Sequence, residues 1–379
     1  MATAALMTVF AMVVCLGSAA LLLRHPLGRW LRRFHTQQLL QDSQLHLKHP
    51  ENGVMLHSLY SLRSHAPIEV SVGGETMPIE GALRRLIGSV TPPGQSNDLG
   101  TFEKFAGSSH ELVFGPPQQA ALGMAHTLRV AESTLAALMA EGTAAIVREV
   151  EASGTAEDKE CLDYVLRCPA GSSSKRFPNG VRDANRSGEM LADFMAHPSA
   201  VTAELTEAEM VALRLYTTAA YKSLNAPCRD LEPHAPAHPL PATVSFLALG
   251  IKKLRAVGAK RDDAQQPVTL WRGLRDLQVG ADFTGGTELG CMSTSASAEV
   301  AMRYALEGCA TRIVCLFRLQ TASFMERGAD LAFLSAFPDE AEYLYPPSTY
   351  LRVLHGRREC LTVDEMRVTI IDLVPTFPT

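Results

Sequence analysis

The chain lacks the marks of several large protein classes. Lysine and arginine number 35 against 40 aspartates and glutamates, so there is no basic stripe of the kind that neutralises phosphates in a nucleic-acid binder, and no nucleic-acid partner is expected. No two of its cysteines have the C-x-x-C spacing of a zinc site or redox pair. No His-Glu-x-x-His or similar ligand spacing is present, so no metal is expected. No G-x-G-x-x-G follows a strand pattern, which argues against a doubly wound dinucleotide-binding sheet. There is no internal repeat, and from Met1 to Leu23 there is no charged residue at all.

That uncharged stretch, mostly Ala, Leu, Val and Met, is long enough to cross a hydrocarbon core, which needs about 20 apolar residues. Its basic residues follow it (Arg24, Arg29, Arg32, Arg33) rather than precede it as in a cleaved signal peptide. The reading is a transmembrane anchor over residues 1–24, with membrane contact through residues 2–23. By the positive-inside rule it leaves the downstream chain in the cytosol. A signal peptide, the alternative, would make the product secreted or lumenal. Only then would the sequon Asn185-Arg186-Ser187 matter.

Residues 25–180 read as a mostly helical region of unstated role. Ile68–Gly74 alternates and ends in a turn, as a strand or hairpin arm does. From Gln118 to Ala152 the Ala-, Leu-, Glu- and Met-rich composition predicts one long helix or a helix pair. Thr206 and Glu209 form a capping-box pattern. It opens a helix whose apolar positions Met210, Leu213, Thr217, Ala220 and Leu224 run on to the stop at Pro227. Thr243–Arg255 is a further amphipathic helix. Short strands follow at Val268–Arg272, Glu288–Ser293, Ile313–Phe317, Asp330–Leu334, Glu342–Tyr345, Tyr350–Leu354 and Val368–Leu373, with a helix at Ser297–Leu306. Helices first and strands after, without regular alternation, define an α+β fold.

The most informative run is Ser335 to Pro347. If Glu340–Leu344 is extended, Glu340 and Glu342 project to one face and repel, so one acid must hold its proton more tightly. Taken alone, Asp339-Glu340-Ala341-Glu342 reads equally well as a solvated loop. Arg272, beside Gly273, has the chemistry to grip a phosphate in bidentate fashion, although a lone arginine is more often structural. Ser293-Thr294-Ser295, between a strand and a helix, reads as an N-cap or as part of a site. Tyr304 reads first as a core aromatic on a helix face.

In that order, Arg272, Ser293-Thr294-Ser295 and Glu340-x-Glu342 resemble the arginine-specific mono-ADP-ribosyltransferases, whose signature is an Arg, an S-T-S and an E-x-E. Trp271-Arg272-Gly273, the helix ending Tyr216–Asn225 and the run to Pro346-Pro347 extend the resemblance over residues 181–376. It implies a catalytic domain with a mixed or antiparallel two-sheet core. It implies NAD as co-substrate with no prosthetic group, and a protein with an accessible arginine as acceptor. Glu342 would stabilise the oxocarbenium ion, and Glu340 would hold and deprotonate the incoming arginine. Arg272, Gly273, Ser293, Thr294, Ser295 and Glu342 would bind NAD, and Phe337 would meet the protein substrate. Stacking of Tyr304 on the nicotinamide is the alternative to its place in the core. Gln in place of the first glutamate goes with other acceptors, so Glu340 points to arginine. Cys291-Met292 departs from the aromatic-Thr pair frequent there. An NAD glycohydrolase on the same site and a non-enzymatic, membrane-tethered binding module are the alternatives.

Overall fold

The computed structural model describes residues 67–90, 105–106, 123–171, 176–177, 180–230, 232, 234–281 and 283–376. The anchor expected at residues 1–24 lies outside them. Among the described residues no helix is long and apolar enough to cross a membrane.

Thirteen strands are β1 Glu69–Val72, β2 Glu75–Pro78, β3 Phe105–Ala106, β4 Arg176–Phe177, β5 Gly180–Val181, β6 Val268–Arg275, β7 Gly285–Glu288, β8 Met292–Ser295, β9 Ile313–Thr321, β10 Ala329–Asp330, β11 Glu342–Tyr345, β12 Thr349–Val363 and β13 Met366–Thr376. The helices are α1 Ile79–Ile87, α2 Gly123–Thr127, α3 Glu132–Ala140, α4 Thr143–Ser153, α5 Ala156–Arg167, α6 Leu191–Ala196, α7 Pro198–Thr202, α8 Glu207–Tyr216, α9 Tyr221–Asn225, α10 Pro241–Gly258 and α11 Ala298–Leu306.

Nine strands form one sheet in the order β10-β11-β8-β6-β9-β13-β12-β7-β3. Every neighbouring pair is antiparallel except β9 and β13. The fold is therefore α+β with a mixed, mainly antiparallel sheet. Its two halves meet at a narrow join, where β6 and β8 share the single register pair Trp271↔Ser295. β12 and β13 form a long hairpin closed by Asp364 and Glu365, both left-handed at φ 46° and 68°. Positive φ at both central residues matches the twist of the strands they join.

The helical part differs from the sequence pattern at its breaks. Over the described part of 118–152 the chain makes three helices, α2 to α4, interrupted where Arg129 and Gly142 turn left-handed. The helix opened by the Thr206–Glu209 capping box ends at Tyr216 instead of running to Pro227. Thr217 and Thr218 donate their hydroxyls to the carbonyls of Arg214 and Leu215, three residues back. Such back-bonding offers the chain an alternative to the helical ladder, and α9 starts afresh at Tyr221. The expected strand at Asp330–Leu334 shrinks to β10 because Asp330 accepts the amide of Ala332 in a local turn.

Three apolar clusters fill the interior. The largest gathers Ile146, Val150 and Tyr164 from α4 and α5 with Met210, Leu247 and Leu344. α3 and α4 pack on α10, and α4 and α5 pack on α8; Pro67–Thr379 is one compact unit. The other two clusters line opposite faces of the sheet. Trp271, Leu316 and Val368 meet α1 and α11, while Leu270, Phe317 and Leu373 pack on the other side.

Gly273 lets α11 lie on β6. A Cβ there would sit 1.9 Å from the carbonyl oxygen of Ala301 and 2.9 Å from the amide nitrogen of Ala305, both backbone atoms. Gly273→Ala must push the helix off the sheet. We expect it to lower stability by about 1–3 kcal/mol, the usual cost of overpacking, read as a fall in the urea midpoint without a change in slope.

Candidate active site

Arg272, Ser293 and Glu342 converge where β6, β8 and β11 adjoin. On β11, Glu342 and Leu344 stand opposite Ser295 and Ser293 of β8. Directly opposed residues share a face, so Glu342, Ser293 and Ser295 look the same way. Arg272, in the middle of β6 rather than at its end, donates from Nη1 to the carbonyl of Ser293 at 2.9 Å. The three stretches are 21 and 49 residues apart along the chain, and strand pairing with these side-chain bonds draws them together.

Glu342 is buried, 5% exposed. Burial pushes its carboxyl up to about 7, while the hydroxyls of Ser293 and Ser335 donate to it and oppose that rise. The Ser335 contact is long, at 3.5 Å. A carboxylate here is desolvated but not abandoned: two neutral donors favour its charged form.

Glu340 lies differently from the extended reading. Pro338–Glu340 is a single 3-10 turn, Ala341 is left-handed at φ 46°, and β11 begins only at Glu342. Pro338, with no amide hydrogen, suits the first position of the turn. The two acids are therefore on separate local elements. Burial nonetheless pushes Glu340 up to about 7, its hydrogen bond from Tyr304 lowers it, and the nearby Glu342 raises it. The Tyr304 hydroxyl donates to Glu340 Oε1 at 2.7 Å. Tyr304 is thus no core aromatic: it is 41% exposed, while Ala298, Ala301, Met302, Ala305 and Leu306 carry the buried face of α11.

The Ser-Thr-Ser segment is not the helix cap. Ser297 caps α11, accepting the amide of Val300. Ser295 donates to the Glu340 carbonyl at 2.6 Å and accepts the amide of Ser297 at 2.9 Å. Thr294 donates to the Tyr343 carbonyl at 2.9 Å. Both hydroxyls thereby fasten β8 to the chain carrying the two glutamates. Gly273 faces α11, so its place in the sequence is explained by packing. Phe337 is half-buried before the 3-10 turn, its amide donating to Ser335 Oγ at 3.1 Å.

Arg272 is held on two sides. Its Nη2 lies 3.4 Å from Glu288, which is fully buried and also takes a fork from Arg229, at 2.7 and 3.0 Å. Arg272 Nε is buried with no hydrogen-bond partner. Burial lowers the pKa of this guanidinium, and Glu288 offsets part of that effect. An oriented arginine with a spare buried donor is equipped to meet an anion.

Sequence reasoning misses Arg229, Glu288, Ser335, Asn225 and Tyr216. Asn225 accepts the amide of Cys291 at 2.8 Å and, with the Tyr216 hydroxyl, donates to its carbonyl, each at 3.1 Å. This clamp sets the start of β8. Cys291 and Met292, the departure from the family pattern, are both buried in apolar clusters. For Tyr304 a signal was available, since it falls off the period of its helix's apolar face.

No family model and no curated protein sequence matches the chain. Among solved structures it is similar to the ADP-ribosyltransferase HopU1 of Pseudomonas syringae pv. Tomato, at 18% identity over 58% of this chain and 98% of that one, with a TM-score of 0.36. It is also similar to the eucaryotic mono-ADP-ribosyltransferase ART2.2, at 14% identity over 75% and 95% of the two chains, TM-score 0.33. A third is the C3 exoenzyme of Clostridium limosum, at 15% identity over 47% and 89%, TM-score 0.33.

Proposed function

We propose that the chain is an NAD-dependent mono-ADP-ribosyltransferase that moves ADP-ribose from NAD to a protein arginine and releases nicotinamide. The observation that carries the proposal is the convergence of a buried carboxylate, Glu342, with Ser293 and an oriented Arg272. Cleaving the nicotinamide–ribose bond builds positive charge on the ribose, and a desolvated carboxylate beside that carbon stabilises it.

In this reading Arg272 binds the diphosphate through its spare Nε, and Ser293 orients Glu342 and the nicotinamide ribose. Nicotinamide departs with the electron pair of the broken N-glycosidic bond. A guanidinium nitrogen of the acceptor forms the new bond to the same carbon, and the proton it sheds passes to the carboxylate of Glu340. An acid poised near neutrality suits that general-base task. Phe337, on the turn before Glu340, would meet the protein acceptor. Membrane tethering through residues 2–23, with the catalytic part in the cytosol, belongs to the same proposal and rests on the charge pattern of the N-terminus.

The test is incubation of the full chain with labelled NAD and agmatine. Arginine-linked label is expected. Glu340→Gln should lower the ratio of transfer to nicotinamide release at least tenfold, because the variant cannot take the guanidinium proton. Nicotinamide release indifferent to agmatine would make water the acceptor and the protein a glycohydrolase. If NAD neither binds in calorimetry nor is consumed, the enzymatic reading fails.

A further inference from the structure

We propose that Tyr304 is a positioning residue for the acceptor half of the reaction, fixing one oxygen of Glu340 so that the other is presented to the incoming guanidinium. The inference rests on the reading of Glu340 given above and adds a residue to it.

The geometry is specific. Glu340 is gripped twice, at its backbone from the end of β8 and at its side chain from the last turn of α11. At the end of β8, Ser295 donates to the Glu340 carbonyl at 2.6 Å while accepting the amide of Ser297, the cap residue. In the last turn of α11, the Tyr304 hydroxyl donates to Glu340 Oε1 at 2.7 Å. The helix itself is seated on β6 by the close approach that Gly273 permits. Glu340 ends a single 3-10 turn and precedes a left-handed residue, so its own local structure offers little to fix the side chain. The phenol supplies that fixing from a rigid element.

The choice of side chain supports a polar role. Tyr304 stands off the buried face of α11 and is 41% exposed. A group needed only to fill space would sit on that face, and its hydroxyl would be incidental. Here the hydroxyl is a neutral donor, which holds the carboxylate without neutralising it. A lysine or arginine in its place would form an ion pair and compete with the acceptor's guanidinium for the same oxygens.

The ionisable groups acting on Glu340 are Tyr304 from α11 and Glu342 from β11. Tyr221, of α9, acts in turn on Tyr304. Of these, only Tyr304 favours the charged form of Glu340. Its removal therefore has one sign: Glu340 holds its proton to higher pH, and the base is lost over a wider acid range.

Tyr304→Phe deletes the hydroxyl and keeps the ring, on a half-exposed helix position where folding is not at stake. We expect KM for agmatine to rise about tenfold, as for one lost hydrogen bond to a charged group. The ratio of transfer to nicotinamide release should fall, and the acid limb of the transfer profile should move to higher pH. Tyr304→Ala should show the same change in ratio. A carbon-13 titration of the Glu340 carboxyl reads the effect without turnover, and its midpoint should move upward in the variant. An unmoved midpoint overturns the proposal whether or not the enzyme turns over. So does a parallel loss of transfer and release with KM for agmatine unchanged, which would make Tyr304 merely structural. A wild-type protein that consumes NAD without labelling agmatine instead defeats the arginine reading, and this inference with it.

Discussion

Glu342→Gln should abolish nicotinamide release and transfer together while making the protein harder to unfold above pH 7. The amide has the shape of the acid but no charge to set against the forming oxocarbenium ion. Loss of one preorganised electrostatic partner typically costs a hundredfold to a thousandfold in rate, so a fall of roughly a thousandfold is expected in both reactions. The stability gain follows from the same burial. Glu342 is pushed up to about 7 in the folded protein, whereas in an unfolded chain it titrates near its ordinary value of about 4.3. Between those points the native state binds more protons than the unfolded one, so stability falls as pH rises through them. Below about pH 4 the acid is protonated in both states and exerts no penalty. Above pH 7 the buried charge costs about 3–4 kcal/mol, and Gln does not bear it. Thermal unfolding at pH 8 should give the variant the higher Tm, and at pH 4 the two proteins should coincide. A variant less stable than wild type at pH 8 would mean that Glu342 is held by stronger partners than two hydroxyls.

Asp183→Ala should be the most damaging substitution for stability, at about 3–5 kcal/mol, because it strands a buried arginine. Asp183 is fully buried. It faces Arg214 at 3.0 and 3.3 Å, receives the Tyr164 hydroxyl, and lies 3.4 Å from Arg186. The arginines reach onward to the segment that leads to the two glutamates. Arg214 donates to the Leu334 carbonyl at 2.7 Å, and Arg186 to those of Ser335, at 2.7 Å, and Ala332. The Asp183 amide donates to the Ala336 carbonyl at 2.7 Å. Four carbonyls of that segment, those of Ala332, Leu334, Ser335 and Ala336, are thus held by Asp183 and its two arginines. We expect the urea midpoint to fall by most of its wild-type value, and any folded fraction to lose NAD cleavage beyond its loss of structure. Asp183→Asn keeps the shape and some of the hydrogen bonds and should cost less. Equal and small effects of both would show that the arginines find other partners.

The chemistry was more legible in the sequence than the scaffold that aims it. That Arg272, Ser293 and Glu342 come together could be anticipated because each sits on a short strand marked by its own apolar pattern. Glu288 could not, because its meaning lies in Arg229 and Arg272, and the former is 59 residues away. Ser335 and Arg186 meet across 149 residues. No local period marks such pairs. The β12–β13 hairpin was underestimated for a local reason: its turn is Asp364-Glu365, without the glycine or asparagine that usually accepts positive φ. The helix ending at Tyr216 was overestimated because threonine's competition for backbone carbonyls does not disturb an apolar period. Alternation leaves Glu340 open between an extended run and a loop, and Pro338 with a left-handed Ala341 puts it on a turn.

The left-handed alanine between the acids has a consequence for how such a protein can change. A residue that breaks the strand at Ala341 uncouples the backbone on either side. Glu342 inherits its position from β8, while Glu340 inherits its own from a turn and a neighbouring helix. A lineage could therefore move Glu340 by editing the turn, and leave Glu342 and its pairing with β8 intact.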